Sequence, residues 1–118
     1  MSERRGPYRV RRSLEERFWA RIAAVDWEQC WPWLGAISDN GYGNISWRDW
    51  SGGVGVTRHV STHIYAYTLL VGPVPEGLEL DHICRRRHCC NPAHLEPVTR
   101  RENWKSWTAS LREGKSIN

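Results

Sequence analysis

Residues 81–95 read DHICRRRHCCNPAHL, from Asp81 to Leu95. Three of the chain's four cysteines and three of its five histidines fall inside this stretch. Such density fits a structural metal site, a catalytic site, or two sites interleaved. Cys84-x4-Cys89-x4-His94 is a spacing that folds a loop back around one ion. Thiolate and imidazole donors favour tetrahedral zinc, which leaves a fourth position to fill. Cys30 is the one cysteine outside the cluster, and it is the candidate fourth ligand. A closed Cys3His site is structural and contributes on the order of 10 kcal/mol to folding at neutral pH. Cys90 and His88 are rivals, and spacing leaves the choice between Cys89 and Cys90 open.

The flanks of this stretch read strand, loop, strand, helix. Pro75-Glu76-Gly77 turns the chain into a strand over Leu78–Ile83, and a short strand follows over Leu95–Val98. Thr99-Arg100-Arg101-Glu102 is a capping box that opens a last helix running to about residue 111. Asp81 and His82 precede the cysteine loop, and a histidine beside a carboxylate can act as a general base on water. Asn103 falls in the first turn of the last helix, which packs on the strand carrying Asp81. Asp81 and Asn103 can then offer oxygens to a hard cation, Mg2+ or Mn2+, while His82 activates water. There is a geometric tension, because neighbours on a regular strand point to opposite faces. For Asp81 and His82 to reach one site the strand must twist or bend there, and it is expected to end between His82 and Cys84, which would otherwise share a face.

Further upstream, Ser13-Leu14-Glu15-Glu16 is another capping box. Leu14, Phe18 and Ile22, with Ala23 and Val25 nearby, make one apolar side of a helix expected to end near Val25. Cys30 to Gly35 reads as extended. Asp39-Asn40-Gly41-Tyr42-Gly43 is a turn signal, followed by strands over 42–48 and 54–61 that form a hairpin or meander. Trp47, Arg48 and Trp50 lie near its tip, where aromatic and cationic groups can meet DNA. Thr62 is a candidate cap for a second helix over 63–71, stopped by Gly72-Pro73.

A chain of 118 residues suits one domain. Aliphatics are few, with one Phe and one Met, and eight tryptophans must supply part of the core. A small core of this kind often needs a metal staple. No run of about eighteen apolar residues exists, so no membrane-spanning segment is expected. The N-terminus has charges with no apolar segment behind them, so a cytoplasmic, reducing setting is expected, where clustered cysteines hold metal more often than disulfides. The formal net charge is +4. Arg4, Arg5, Arg9, Arg11 and Arg12 against Glu3 place that whole excess in residues 1–12. A basic arm of this kind suits phosphate contact or the minor groove of DNA.

His82, Cys84, Cys89, His94 and Asn103 together spell His-x-Cys-x4-Cys-x4-His-x8-Asn. This run resembles the His-Cys box of homing endonucleases, within the wider HNH or His-Me finger (ββα-metal) nuclease superfamily. Arg17-Phe18-Trp19, Cys30-Trp31, Gly41-Tyr42-Gly43, Asn91-Pro92-Ala93-His94-Leu95 and Glu102-Asn103 look like the small phage-encoded HNH endonucleases. The resemblance implies an α+β single domain: an N-terminal helix, an antiparallel hairpin or meander, and a C-terminal zinc-stapled ββα-metal motif over about residues 78–112. The likeness covers about residues 13–105 and implies an endonuclease domain over 13–118, beyond the basic arm over 1–12 that the charge marks out. It implies His82 as general base, Asp81 and Asn103 as ligands of a catalytic Mg2+ or Mn2+, and one structural zinc per chain on Cys84, Cys89 and His94. In the family an upstream cysteine completes that zinc site, which supports Cys30.

Two departures stand out. The middle Asn of HNH nucleases falls at His94, and the second zinc site of the homing enzymes has no counterpart, since no cysteine follows Cys90. The family also uses an arginine on the scissile phosphate, for which Arg58 is the candidate and Arg48 the reserve; His63 is a weaker possibility for the site. Arg85, Arg86 and Arg87 join the arm, Arg48 and Arg58 as candidate DNA contacts. The expected substrate is double-stranded DNA, cut by a monomer or homodimer in the cytoplasm of a bacterial host. A zinc-stapled DNA-binding module that does not cut is the other reading.

Overall fold

The computed structural model describes residues 12–23 and 25–112, with side chains described to residue 109. The basic arm, with Arg4, Arg5, Arg9 and Arg11, lies outside the described residues. The first helix, α1, spans Leu14–Ala20 and starts as expected. The Ser13 hydroxyl accepts from the Glu16 amide at 3.1 Å, and the Glu16 carboxylate accepts from the Ser13 amide at 2.8 Å. The helix ends at Ala20 rather than near Val25. Residues beyond it make a better bargain elsewhere: Ile22 bridges Trp33, and the Leu34 amide donates to the Arg21 carbonyl at 2.8 Å. This pairing is non-local, so no helical periodicity could announce it. Phe18 is fully buried, and Leu14 and Ile22 pack beside it, as their spacing implies.

Strands β1 (Asn44–Asp49) and β2 (Val56–Ser61) form an antiparallel hairpin, in register from Asn44 opposite Ser61 to Asp49 opposite Val56. Helix α2 (Thr62–Leu70) follows directly. Thr62 is its first residue and not its cap. Its amide donates to the Gly43 carbonyl at 2.9 Å, and its side chain is 1% exposed against Gly43. A Cβ at Gly43 would sit 2.3 Å from the Thr62 hydroxyl, so this close approach of α2 to the start of β1 requires glycine.

Strands β3 (Glu79–His82) and β4 (Leu95–Val98) form a second antiparallel hairpin, with His82 opposite Leu95. Helix α3 (Arg100–Arg112) follows, opened by the expected capping box between Thr99 and Glu102. The fold is α+β with a C-terminal ββα unit, and α3 lies on β3 and β4. β3 ends at His82, as the cysteine loop demands.

The main core gathers Phe18, Trp31, Trp33, Ile45, Ala66 and Cys90, so tryptophan does replace the missing aliphatics. Trp107 is also buried, whereas Trp27, Trp50 and Trp104 are exposed. No helix among the described residues is long and apolar enough to cross a membrane.

Candidate active site and metal centre

The loop between β3 and β4 is shaped by backbone pairing with the extended segment before β1. The Cys90 amide donates to the Trp31 carbonyl at 2.9 Å, and the Trp33 amide donates to the His88 carbonyl at 3.0 Å. This pairing carries Cys30 to the loop. Ligand atoms of Cys30, Cys84, Cys89 and His94 all lie within 4.8 Å of one another. The His94 Nδ1 is 3.6 Å from the Cys30 Sγ and 3.7 Å from the Cys89 Sγ. Tetrahedral zinc, with Zn–S of about 2.3 Å and Zn–N of about 2.0 Å, separates its ligand atoms by roughly 3.5–3.8 Å. The donor set therefore fits a metal ion of that kind.

Its electrostatics agree. The Cys89 thiol bonds the Cys84 sulfur, and this holds Cys84 down at about 4 against burial. The same bond pushes the Cys89 proton up, and burial raises Cys30. A bound dication favours the thiolate form of all three sulfurs.

Cys90 does not join the cluster. It is fully buried in the main core, and burial raises its thiol to about 12. His88 contributes its carbonyl to the loop pairing.

Asn91 is a residue that spacing alone did not single out. It is fully buried, donates to the carbonyls of Trp27 at 2.9 Å and Gln29 at 2.7 Å, and accepts from the Ala93 amide at 2.9 Å. One side chain thus ties the segment delivering Cys30 to the turn (Pro92–His94) delivering His94.

Asp81 and His82 stay on opposite faces of β3. The Asp81 carboxylate accepts from Arg85 at 2.7 Å in a buried ion pair, and Arg85 also reaches Ser106 and stacks 4.9 Å from the Trp107 ring centroid on α3. Arg85 adopts a left-handed φ of 62°, so the pair is made at some backbone cost.

His82 faces the other way, with its ring centroid 4.6 Å from that of His63 and 5.7 Å from that of Tyr42. Its Nε2 is 3.1 Å from the Cys89 carbonyl oxygen. A carbonyl can only accept, so Nε2 carries the proton and Nδ1 keeps its lone pair. That Nδ1 is buried and has no hydrogen-bond partner among the described residues. Burial lowers the proton affinity of His82, partly offset by the nearby Cys84 thiolate. Burial and the adjacent His82 push His63 down to about 3.

Asn103 projects from α3 beside a cavity of about 570 Å³, whose walls include Tyr42, His63, Glu79 and Leu80. Its Nδ2 donates to the Glu79 Oε1 at 3.0 Å, and its Oδ1 is buried without a partner among the described residues. Hydrogen bonds from Asn103 and Arg100 hold the Glu79 carboxyl below its usual range. The structure therefore pairs Asn103 with Glu79 and Asp81 with Arg85, rather than Asp81 with Asn103. Sequence reasoning missed Glu79, although it lies two residues before Asp81 and so shares its strand face.

The arginines divide by exposure. Arg58 is half exposed and bonds Asp49 at 2.6 Å, and it does not line the cavity. Arg48 bonds Thr57 and lies 5.4 Å from the centroid of the exposed Trp50 ring. In the cysteine loop Arg86 is exposed. Arg87 instead bonds the Asn40 carbonyl and stacks near Tyr42 and Trp107. Arg12 is exposed near Arg17 and Arg21.

Residues 60–105, which span α2, the ββ loop and the start of α3, match the family model described as HNH endonuclease. This segment carries the likeness to HNH endonucleases. The chain is similar to Protein 7.7 of Escherichia phage T7, with 38% identity over 75% of this chain and 62% of that relative. It is similar to Protein 2.8 of the same phage at 31% identity, over 76% of this chain and 56% of the relative. The Uncharacterized gene 5.3 protein of Enterobacteria phage T3 is 39% identical over 42% of this chain and 48% of its own length. The chain thus spans less than two-thirds of the length of each of these curated relatives. No solved structure matches it. The HNH assignment covers His63, Glu79, Asp81, His82, Asn103 and three of the four cluster ligands, with Cys30 outside it.

Proposed function

We propose that this protein is a metal-dependent DNA endonuclease of the small phage type, with a basic arm over residues 1–12 and its catalytic domain over 13–118. The observation that carries this reading is His82: one ring nitrogen is held by the Cys89 carbonyl, and the other is buried with an unused lone pair. Nδ1 accepts a proton from water as the water oxygen attacks phosphorus in line with the leaving oxygen. The charge that develops on the ring strengthens the Nε2–H bond to the Cys89 carbonyl. Cys30, Cys84, Cys89 and His94 hold structural zinc, which fixes that carbonyl. Asn103, through its unpartnered Oδ1, and Asp81 are the residues to hold Mg2+ or Mn2+. A divalent cation there supplies charge stabilisation for the scissile phosphate and the leaving oxygen. Asp81 serves through the oxygen that Arg85 leaves, or by releasing Arg85. Arg12, Arg48, Arg58, Arg86 and the arm arginines hold the DNA backbone, and the HNH family's action on DNA supports double-stranded DNA as the partner. A monomer nicks, and a homodimer makes a double-strand break. The setting is the cytoplasm of a bacterial host, and a homing role belongs to this same reading.

One observation favours a DNA-binding module that does not cut: His82 is only 1% exposed, behind Tyr42 and His63. Supercoiled plasmid with Mg2+ or Mn2+ separates the two. The endonuclease nicks or linearises it, and His82→Ala loses that activity while keeping zinc. Binding without cutting across several metals establishes the module. Cutting that survives His82→Ala removes His82 as the base.

A further inference from the structure

An asparagine amide has two ends of nearly the same shape and opposite polarity. To ligate a cation, Asn103 must present its oxygen, and nothing within α3 selects that end. We propose that Glu79 is a positioning residue that orients the Asn103 amide with its oxygen toward the cation. This rests on the cation reading above and adds a residue to it. A carboxylate only accepts, so Glu79 can take only the Nδ2–H end of Asn103, and it does so at 3.0 Å. Oδ1 is thereby turned away from Glu79, and it is buried with no partner. Arg100, three residues before Asn103 on α3, donates to the other Glu79 oxygen at 3.0 Å and braces the carboxylate. Glu79 and Asn103 line the same cavity as Tyr42 and His63. The flipped amide would aim N–H groups at a cation and set Oδ1 against the Glu79 carboxylate, so it is disfavoured twice.

The test is Mn2+ binding by calorimetry to the zinc-loaded full chain, comparing wild type, Glu79→Ala, Asn103→Ala, Asn103→Asp and the Glu79→Ala/Asn103→Asp double variant. An aspartate at 103 has an oxygen at either end, so it needs no orienting partner. Glu79→Ala is expected to weaken Mn2+ by about 10–100-fold with Asn103 present, in line with outer ligand-orienting groups elsewhere. In the Asn103→Asp background, the same change leaves Mn2+ affinity unchanged or tighter. A second readout needs no metal: Glu79→Ala shifts the Asn103 side-chain amide resonances of the zinc-loaded, Mn2+-free protein. Zinc content and melting temperature confirm that each variant folds. Equal weakening by Glu79→Ala in both backgrounds overturns the proposal, making Glu79 a direct ligand. If Asn103→Ala weakens Mn2+ but Glu79→Ala does not, the positioning role fails alone. If Asn103→Ala has no effect on Mn2+, the cation reading at Asn103 fails and the role of Glu79 falls with it.

Discussion

Two clusters share the β3–β4 unit, and they treat their polar atoms in opposite ways. The cysteine cluster is closed. Its four donors converge, and Asn91 fulfils three hydrogen bonds in locking the segments that carry them. The polar groups at His63, His82 and Asn103 are left incomplete: His63 Nδ1, His82 Nδ1 and Asn103 Oδ1 are buried with no hydrogen-bond partner among the described residues. Unpaired buried polar atoms cost about 1–3 kcal/mol each. A fold this small carries that burden next to a staple that can offset it, and the adjacency is the point. The Cys89 backbone belongs to both clusters, since its sulfur faces the metal centre and its carbonyl holds His82.

The largest effect expected is on the closed cluster. Purified without chelator, the chain is expected to hold about one zinc, and Cys84→Ala should lose both zinc and fold, on the order of 10 kcal/mol. Metal analysis and circular dichroism measure the two together. Cys90→Ser sharpens the contrast, because Cys90 sits in the apolar core and not among the ligands. It should keep one zinc per chain and lose only about 1–3 kcal/mol, the penalty for a buried hydroxyl. Loss of zinc in Cys90→Ser would dissolve the distinction between core and cluster.

His82→Ala tests the open cluster and should do the reverse. Removal of a general base slows cleavage by about 10²–10⁴-fold, while zinc content stays at the wild-type value. Plasmid nicking rates and metal analysis on one preparation decide it. A variant that loses zinc along with activity would show that the clusters are one structural unit.

How much of this could be read from the sequence follows how local each feature is. The two capping boxes, the β4 span and the end of β3 at His82 depend on neighbours along the chain, and all were legible. The end of α1 was not, because residues 21–23 are claimed by residues 32–34 from another part of the chain. Cys84, His94 and Cys30 were legible as metal-ligand candidates from spacing and a single remaining cysteine, whereas the choice of Cys89 over Cys90 came only from the burial of Cys90 in the core. Glu79 and the bracing role of Asn91 were not legible, since each acquires its place only when distant segments meet, and His63 stood only as a weaker candidate for the site. The partner of Asp81 was also illegible: Arg85 reads as a candidate DNA contact from the sequence, whereas it pairs with Asp81 from a left-handed backbone position.

Asn91→Ala is the intermediate case. It orphans two carbonyls and one amide that Asn91 satisfies at zero exposure. A loss of about 2–4 kcal/mol is expected from several unmade buried bonds. Zinc should bind more weakly, because Cys30 and His94 lose their common brace. Chemical denaturation at saturating zinc, followed by competition with a chelator, separates the two effects. Unchanged zinc affinity would mean that the backbone pairing of residues 31–33 with 88–90 suffices to deliver Cys30.

The smallest effect belongs to His63 and appears as a slope with pH. Its folded proton affinity is pushed down to about 3 by burial and by His82, against about 6.5 in an unfolded chain. Below about pH 6.5 the unfolded state therefore binds the extra proton and the folded state refuses it. Stability is full above that pH and falls as pH drops toward 3, by up to about 1.4 kcal/mol per pH unit from this one group. His63→Phe should remove about 1 kcal/mol of the stability lost between about pH 6.5 and 5.5. Saturating zinc keeps the cysteine cluster from adding its own proton competition. A slope identical in both proteins would mean that His63 takes up its proton in the folded state, and that the cavity already accommodates charge beside His82.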